Sequence, residues 1–364
     1  MQRRSFLRKA GAGIAAGAIA APAIGQGAQP EVKWRLAASW PKSLDTLFGA
    51  CELISKRVAS ATNNKFQIQV FAAGEIVPGL QVLDAVQNGT VEICHTATYY
   101  FIGKDPTFAF ACAIPFGLNA RQQNAWMYHG GGLELMRDFM KEYNVYNIPA
   151  GNTGAQMGGF FRKELKTVAD MKGLKMRIGG SAGVVMQKLG LVPQQLAGGD
   201  IYPALEKGTI DAAEWVGPYD DQRLGFQKIA PYYYYPGWWE GGAMIHNFIN
   251  LEKWNSVPAA YRSILRSASS VANEWMLAKY DAVNPIALKT MAQEGVVQFR
   301  PFPAPVMEAC LKAAFDVYGE LSARNAAFKK TWESTLAFRN DAYLWWRVAE
   351  YSYDDFLIRH RTRS

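Results

Sequence analysis

Two octapeptides 119 residues apart constrain this chain more than any other feature: "AVQNGTVE" (85–92) and "ALEKGTID" (204–211). They keep Ala, Gly and Thr at the same places, with Val/Leu, Gln/Glu, Val/Ile and Glu/Asp exchanges between them. Each follows a helical pattern, sets Gly where a helix end wants a left-handed residue, and leads into a short strand-like run. The flanking segments match too. Around the first copy, strands are expected over 32–39 ("VKWRLAAS"), 66–74 ("FQIQVFAAG") and 90–100 ("TVEICHTATYY"), with helices near 47–59 and 80–87. Around the second, "LKMRIGG" (174–180) is strand-like, "SAGVVMQKLG" (181–190) helical, and "LVPQQLAGGD" (191–200) holds another short strand. Such crossovers imply parallel pairing. The expected fold is therefore α/β with two similar lobes. The offset maps His95 onto Glu214 and Thr96 onto Trp215, so both lobes present polar residues at the carboxyl end of an equivalent strand, where open parallel sheets bind ligands.

Length permits this arrangement, since 364 residues, 49% of them hydrophobic, can fill more than one core. The expected boundaries are a first lobe over 26–150, to which roughly 242–257 returns, and a second lobe over 151–241. Long helices that span the hinge and close the chain are expected over 258–364. Within them, "VPAAYRSILRSASSVANEWMLAKYDAVN" (257–284) has helical spacing with Pro258 near its start. The tail "AYLWWRVAEYSYDDFLIRHR" (342–361) combines an aromatic stripe with charges and reads as core or subunit contact. Lobes joined by several crossing segments suggest a cleft with a hinge.

The chain begins "MQRRSFLRKAG", paired arginines before Phe6 and Leu7, followed by an uncharged Ala/Gly/Ile run to Ile24. This is the pattern of an export signal over 1–25, of the twin-arginine type, whose passenger crosses the membrane already folded. Removing it deletes Arg3, Arg4, Arg8 and Lys9 and no acid, so the formal net charge falls from +8 to +4. The remaining cations are spread along the chain, which argues against a nucleic-acid partner. Cys51, Cys94, Cys112 and Cys310 show no C-x-x-C spacing. An oxidising compartment would allow one or two disulfides, but the apolar surroundings of Cys94 and Cys112 suit buried free thiols.

Catalytic patterns are weak. "GGSAG" (179–183) matches G-x-S-x-G between a strand and a helix, with His246 and His360 downstream as bases for a hydrolase using Ser181. Its strand carries Lys175 and Arg177 instead of an apolar run, and no H-G-G-G segment accompanies it. The simpler reading is a tight turn whose helix N-terminal amides suit an anion. None of the four histidines has metal-ligand spacing, and phosphate-loop, dinucleotide and EF-hand patterns are absent. An exported two-lobed chain of this kind is expected to bind, not to catalyse.

Three segments converge on the expected cleft: "GNTGAQMGGFF" (151–161) with Asn152 and Gln156, "MRIGG" with Arg177, and "AAEWVGPYD" with Glu214 and Trp215. An Arg at a strand's carboxyl end can clamp a carboxylate through two parallel hydrogen bonds. At a surface the same Arg would instead pair Asp211 or Glu214, and residue types alone leave both open.

The segments "FAAGEIVPGLQVLDAVQNGTVEICHT", "GNTGAQMGGFFRKE", "MKGLKMRIGG", "GGDIYPALEKGTIDAAEWVGPYDD" and "YYYYPGWWEGG" span most of the chain. Together they resemble the solute-binding proteins of tripartite ATP-independent periplasmic (TRAP) transporters, in particular the alpha-keto-acid-binding branch. The resemblance implies capture of a small 2-oxo monocarboxylate such as pyruvate between the lobes, and its delivery to a membrane permease without chemistry. Lactate or a dicarboxylate in the same role is the alternative. Position by position, it makes Arg177 the carboxylate clamp, Gln156 the amide touching both ligand and cation, and Trp215 a wall. Glu240 becomes a polar contact, with Tyr100 and Asn152 as donors. It also implies a co-bound Na+ or Ca2+ on Glu214, Gln156 and a main-chain carbonyl at Trp215; oxygen-only ligation fits a hard cation. A homodimer through long helices is implied as well. The aromatic run at 232–242 admits a rival, a betaine or choline binder, which Arg177 in the cleft would oppose.

Overall fold

A computed structural model describes residues 29–361, so the expected signal at 1–25 lies outside the described residues. The strands are β1 (Val32–Ala38), β2 (Phe66–Phe71), β3 (Ile93–Ala97), β4 (Val145–Asn152), β5 (Phe160–Phe161), β6 (Lys175–Arg177), β7 (Val192–Gln194), β8 (Ala212–Ala213), β9 (Tyr232–Tyr235), β10 (Met244–Asn250) and β11 (Gln298–Pro301). They form two sheets, ordered β2-β1-β3-β10-β4 and β11-β9-β5-β8-β6-β7. In the first, β1 runs parallel to β2 and β3, and β10 is antiparallel to β3 and β4. In the second, β6 runs parallel to β7 and β8.

The triplets β2-β1-β3 and β7-β6-β8 are thus the same arrangement built twice. Their registers agree as well: Ala37 faces Cys94 and Arg177 faces Ala213, and Cys94 and Ala213 are separated by the same 119 residues as the octapeptides. The second lobe therefore carries Arg177 where the first carries Ala37. The shared glycines, Gly89 and Gly208, have φ of 72° and 69°, the left-handed conformation that lets each helix turn into its strand.

Several elements differ from the sequence expectation. β2 stops at Phe71 because the Ala72 N–H donates to the Glu75 carboxylate at 2.7 Å instead of continuing the ladder. β3 stops at Ala97, and Thr98–Phe101 coils into a 3₁₀ turn fixed by the Thr98 hydroxyl donating to Phe108 O. β4 runs on through Asn152, two residues past the expected lobe boundary. The stretch after 258, expected to be wholly helical, contains β11; Gly295, with φ of 69°, ends the long helix, and the chain then pairs with β9.

That helix, Ala259–Glu294, packs on β4, on helix Leu47–Ala61 of the first lobe and on helix Pro218–Leu224 of the second. Helix Ala304–Arg324 then lies against helix Gly180–Lys188 of the second lobe, and helix Ala326–Trp346 against helix Gly132–Lys141 of the first. Beyond Thr335 the terminal helix buries almost nothing, leaving Leu344, Val348 and Ile358 about 70% exposed. All four cysteines are buried free thiols. No helix among the described residues is long and apolar enough to cross a membrane.

Candidate ligand and cation site

Arg177 is the last residue of β6 and Glu214 directly follows β8, so parallel pairing of these two strands brings the side chains together. Arg177 Nη1 donates to Glu214 Oε1 at 2.5 Å and to Glu214 O at 2.7 Å, and Arg177 Nε donates to Leu196 O at 3.1 Å. Both side chains are buried, 1% and 0% exposed. The guanidinium lies 4.9 Å from the centroid of the Trp215 ring. Of the two partners the sequence left open, Arg177 takes Glu214; Asp211 instead accepts the Lys175 N–H at 3.0 Å.

Glu214 Oε1 also accepts the Gly179 N–H at 2.8 Å, just before helix Gly180–Lys188. The amides of the Gly-rich turn, read from sequence as an anion seat, thus hold the protein's own carboxylate. Ser181 sits in this turn, but the hydrolase constellation is not assembled. His246 hydrogen-bonds Ala111 O at 2.8 Å in the first lobe, and the His360 ring engages Phe356 O at the chain's far end.

The charge pattern is strained by dehydration. Burial raises the Glu214 carboxyl above its usual range, against the pull of Arg177 and the Gly179 N–H. Burial, and next the Glu214 carboxylate, push Glu240 well above it, with Arg177 and a hydrogen bond from Tyr99 opposing. Arg177 stays cationic: burial works most strongly against its charge, but Glu214 together with Tyr100, Tyr99 and Glu240 more than offsets it.

Six polar ends of the expected site residues are buried without a hydrogen-bond partner: Arg177 Nη2, Asn152 Nδ2, Trp215 Nε1, Glu214 Oε2, Gln156 Oε1 and Glu240 Oε2. Gln156 is held by its Nε2 donating to Thr153 Oγ1 at 2.9 Å, and its N–H donates to Glu240 O at 3.2 Å, which ties the β4–β5 crossing to the β9–β10 crossing. Three orphan donors and three orphan acceptor oxygens suit a carboxylate and a hard cation bound together, since each would otherwise bear an uncompensated desolvation cost. Among the described residues, no three His, Cys, Asp or Glu side chains cluster for a metal. A cation here would therefore need amide and carbonyl oxygens as well as carboxylate.

A small cavity of about 10 Å³ lies between the lobes, lined by the expected Tyr100, Gln156 and Trp215 and by apolar Leu47, Val216, Ala243 and Ile245. Trp40, Tyr99 and Thr153 also line it, and the sequence reading missed them. Asn152 Oδ1 accepts the Gly154 N–H at 2.9 Å, while its Nδ2 donor is buried without a partner. Trp40 could have been found by applying the strand-end rule to β1, which it follows by two residues. Its ring meets Trp215 edge-to-face at 6.2 Å across the cleft, and its Nε1 donates to His95 Nδ1 at 2.8 Å. Burial pushes His95 down to about 4, so it is neutral and its Nε2 proton faces Ala150 O at 3.3 Å. His95 and Glu214, matched by the repeat, thus perform parallel tasks: one orients Trp40, the other Arg177.

The model of the bacterial extracellular solute-binding protein family 7 matches residues 36–325. The chain belongs to this family. Among family 7 relatives, a monocarboxylate 2-oxoacid-binding periplasmic protein of Nostoc sp. is 54% identical over 331 residues, covering 91% of this chain and 90% of its own. A TRAP transporter solute-binding protein from Bordetella bronchiseptica superposes with a TM-score of 0.90 at 49% identity, covering 92% of this chain and 99% of that one. It is a mixed-occupancy dimer, with copurified calcium and picolinate in one active site and the other apo. A TRAP periplasmic solute-binding protein from Pseudoalteromonas atlantica, with bound sodium and pyruvate, gives a TM-score of 0.87 at 38% identity, covering 89% and 99%. Family 7 membership makes this a solute-binding fold of periplasmic transport, and the two lobes and long C-terminal helices match those structures.

Proposed function

We propose that this chain captures a small 2-oxo monocarboxylate, pyruvate or a near homologue, together with Na+ or Ca2+, and hands it to a TRAP membrane permease. The observation that carries this reading is the buried Arg177–Glu214 pair with one terminus of each unspent, Nη2 for the ligand carboxylate and Oε2 for the cation. Relatives at 54%, 49% and 38% identity that bind 2-oxoacids, picolinate with calcium, and pyruvate with sodium support it.

In this reading Arg177 clamps the carboxylate, Gln156 offers its oxygen to ligand and cation, and Glu214 and the Trp215 carbonyl complete the oxygen set. Glu240, Tyr99 and Tyr100 supply polar contacts, and Trp40 and Trp215 exclude water from either side. When bound, the cation offsets the repulsion between Glu214 and the ligand's charge. Chelation by the paired carboxylate and 2-oxo oxygens favours 2-oxo acids over simple carboxylates. Nothing in the cluster calls for a covalent step.

The test is a thermal-shift and calorimetric screen of pyruvate, lactate, succinate and glycine betaine, each with Na+, Ca2+ or chelator. Pyruvate should stabilise the protein in a cation-dependent way; stabilisation by betaine alone, or by no acid, overturns the reading. The Arg3–Arg4 pair is proposed to direct twin-arginine export, tested by retention of an Arg3→Lys/Arg4→Lys precursor in the cytoplasm. The exposed apolar stripe of Leu344, Val348 and Ile358 is proposed to meet a second copy of the chain. Light scattering on the mature protein and on a chain truncated after Asp341 should give a dimer and a monomer.

A further inference from the structure

We propose that Thr46 and Asp220 are positioning residues for ligand capture, which fasten the two lobes together away from the ligand and thereby set how long a bound acid stays. The inference rests on the binding function above only for its second half. Thr46 precedes helix Leu47–Ala61 of the first lobe, and Asp220 lies in helix Pro218–Leu224 of the second. Thr46 Oγ1 donates to Asp220 Oδ1 at 2.9 Å, with Oδ2 at 3.1 Å, and the Tyr280 hydroxyl of the long helix donates to Oδ2 at 2.7 Å. All three residues are fully buried. One carboxylate thus gathers a donor from the first lobe and one from the helix that spans both.

A more exposed ring surrounds this knot. Asp45 Oδ2 meets Lys279 Nζ of the long helix at 2.9 Å, and Asp45 Oδ1 meets Arg223 Nη1 at 3.2 Å and the Tyr219 hydroxyl at 3.1 Å. Arg223 Nη1 also donates to Ser43 O at 2.9 Å. Apart from the Tyr280–Asp220 bond, every one of these bonds ends on the segment 43–46, and each from Tyr219, Asp220 or Arg223 to that segment crosses between lobes. Opening the cleft by moving one lobe against the other must break them, and the buried Thr46–Asp220 bond would leave a carboxylate short of a donor.

The knot is continuous with the cavity wall on both sides. Leu47, the residue after Thr46, lines the cavity, and so does Val216, whose N–H donates to Asp221 Oδ1 at 3.1 Å. Both walls are therefore drawn to their places by neighbours in the knot. This separates a closure role from a merely stabilising one: loosening the knot should free the ligand before it unfolds the protein.

The test uses the mature protein and two variants, Thr46→Val, which deletes the hydroxyl at nearly constant volume, and Thr46→Ser, which restores it. Lobe separation is measured by pulsed dipolar spectroscopy with one spin label per lobe, from no pyruvate to saturating pyruvate with Ca2+. Dissociation is measured by stopped-flow dilution. Thr46→Val should show a smaller closed fraction at every concentration and a dissociation rate raised about tenfold, with association unchanged, and Thr46→Ser should return both to wild type. Asp220→Asn should behave as Thr46→Val, and it need not fold well for the Thr46 variants to decide. Closed fractions and dissociation equal to wild type in Thr46→Val overturn the proposal. If no acid binds even the wild type, the binding function fails, whereas lobe separation without ligand still judges the knot.

Discussion

Removing the Glu214 carboxylate and removing only its charge should have different consequences. Glu214→Ala leaves Arg177 buried beside nothing, a change that costs about 3–5 kcal/mol in comparable buried pairs, and should lower the denaturant midpoint before binding is even measured. Glu214→Gln keeps the shape and the Gly179 hydrogen bond but not the charge opposite Arg177, so it should lose less stability than Glu214→Ala and should also lose the cation dependence of pyruvate binding in calorimetry. Arg177→Ala should abolish binding, and Arg177→Lys should not restore it, because a point charge cannot replace the guanidinium's bonds to Leu196 O and Glu214 together. Sequence alone brought Arg177, Glu214, Gln156 and Trp215 to one place, since all lie at strand ends or in the crossing between lobes. It could not reveal that Arg177 and Glu214 spend half their bonding on each other, because that depends on a side-chain rotamer within a register. Tyr99, adjacent to the expected Tyr100, was hidden for another reason: the strand was expected to run through it, and only the 3₁₀ turn at Thr98–Phe101 brings it to the cavity.

The repeated unit was legible because its punctuation survives as residue types: a left-handed Gly and an apolar run at constant spacing. The strands around it were overdrawn at their ends, where side chains such as Glu75 and Thr98 capture backbone groups and stop the ladder. β11 was not legible at all, being four residues whose pairing with β9 is set by tertiary contact. The same level governs lobe contact at the Gly-rich turn. Gly180 has φ of 61°, and a Cβ there would stand 2.8 Å from the Tyr99 ring of the other lobe. Gly180→Ala should therefore cost about 1–2 kcal/mol from backbone strain and, in addition, hold the lobes apart. Pyruvate affinity should fall further than stability does, a comparison that calorimetry and chemical denaturation make directly; equal losses would assign the glycine to folding alone.

For the molecule as a whole, buried acids and buried histidines pull the response to pH in opposite directions. Burial pushes Asp220 up to about 6 and Asp221 up to about 7, against hydrogen bonds from Tyr280 and Thr46 to the first and from Tyr233 and the Val216 N–H to the second. Because the folded chain holds these protons more tightly than the unfolded chain does, the stability these two acids contribute falls as pH rises from about 4 to about 7 and then levels off, whereas the buried His95 and His246, pushed down to about 4 and about 3, contribute stability that is lost as pH falls below about 6.5. Asp221→Asn isolates the acid's share: the melting temperature of the variant relative to the unliganded wild type should rise as pH is taken from 5 to 7.5, and a difference that does not change with pH would contradict it. The four buried thiols carry a different kind of consequence. An unfolded chain with four cysteines offers three complete pairings to the oxidants outside the cytoplasm, whereas the folded one offers those oxidants nothing to touch. Routed through a general secretory signal in place of residues 1–25, the protein should emerge partly cross-linked, as read by non-reducing electrophoresis, while the natural precursor yields only free thiols. On the proposed twin-arginine route, the order of events, folding before crossing, is what would keep the core's sulfur chemistry silent.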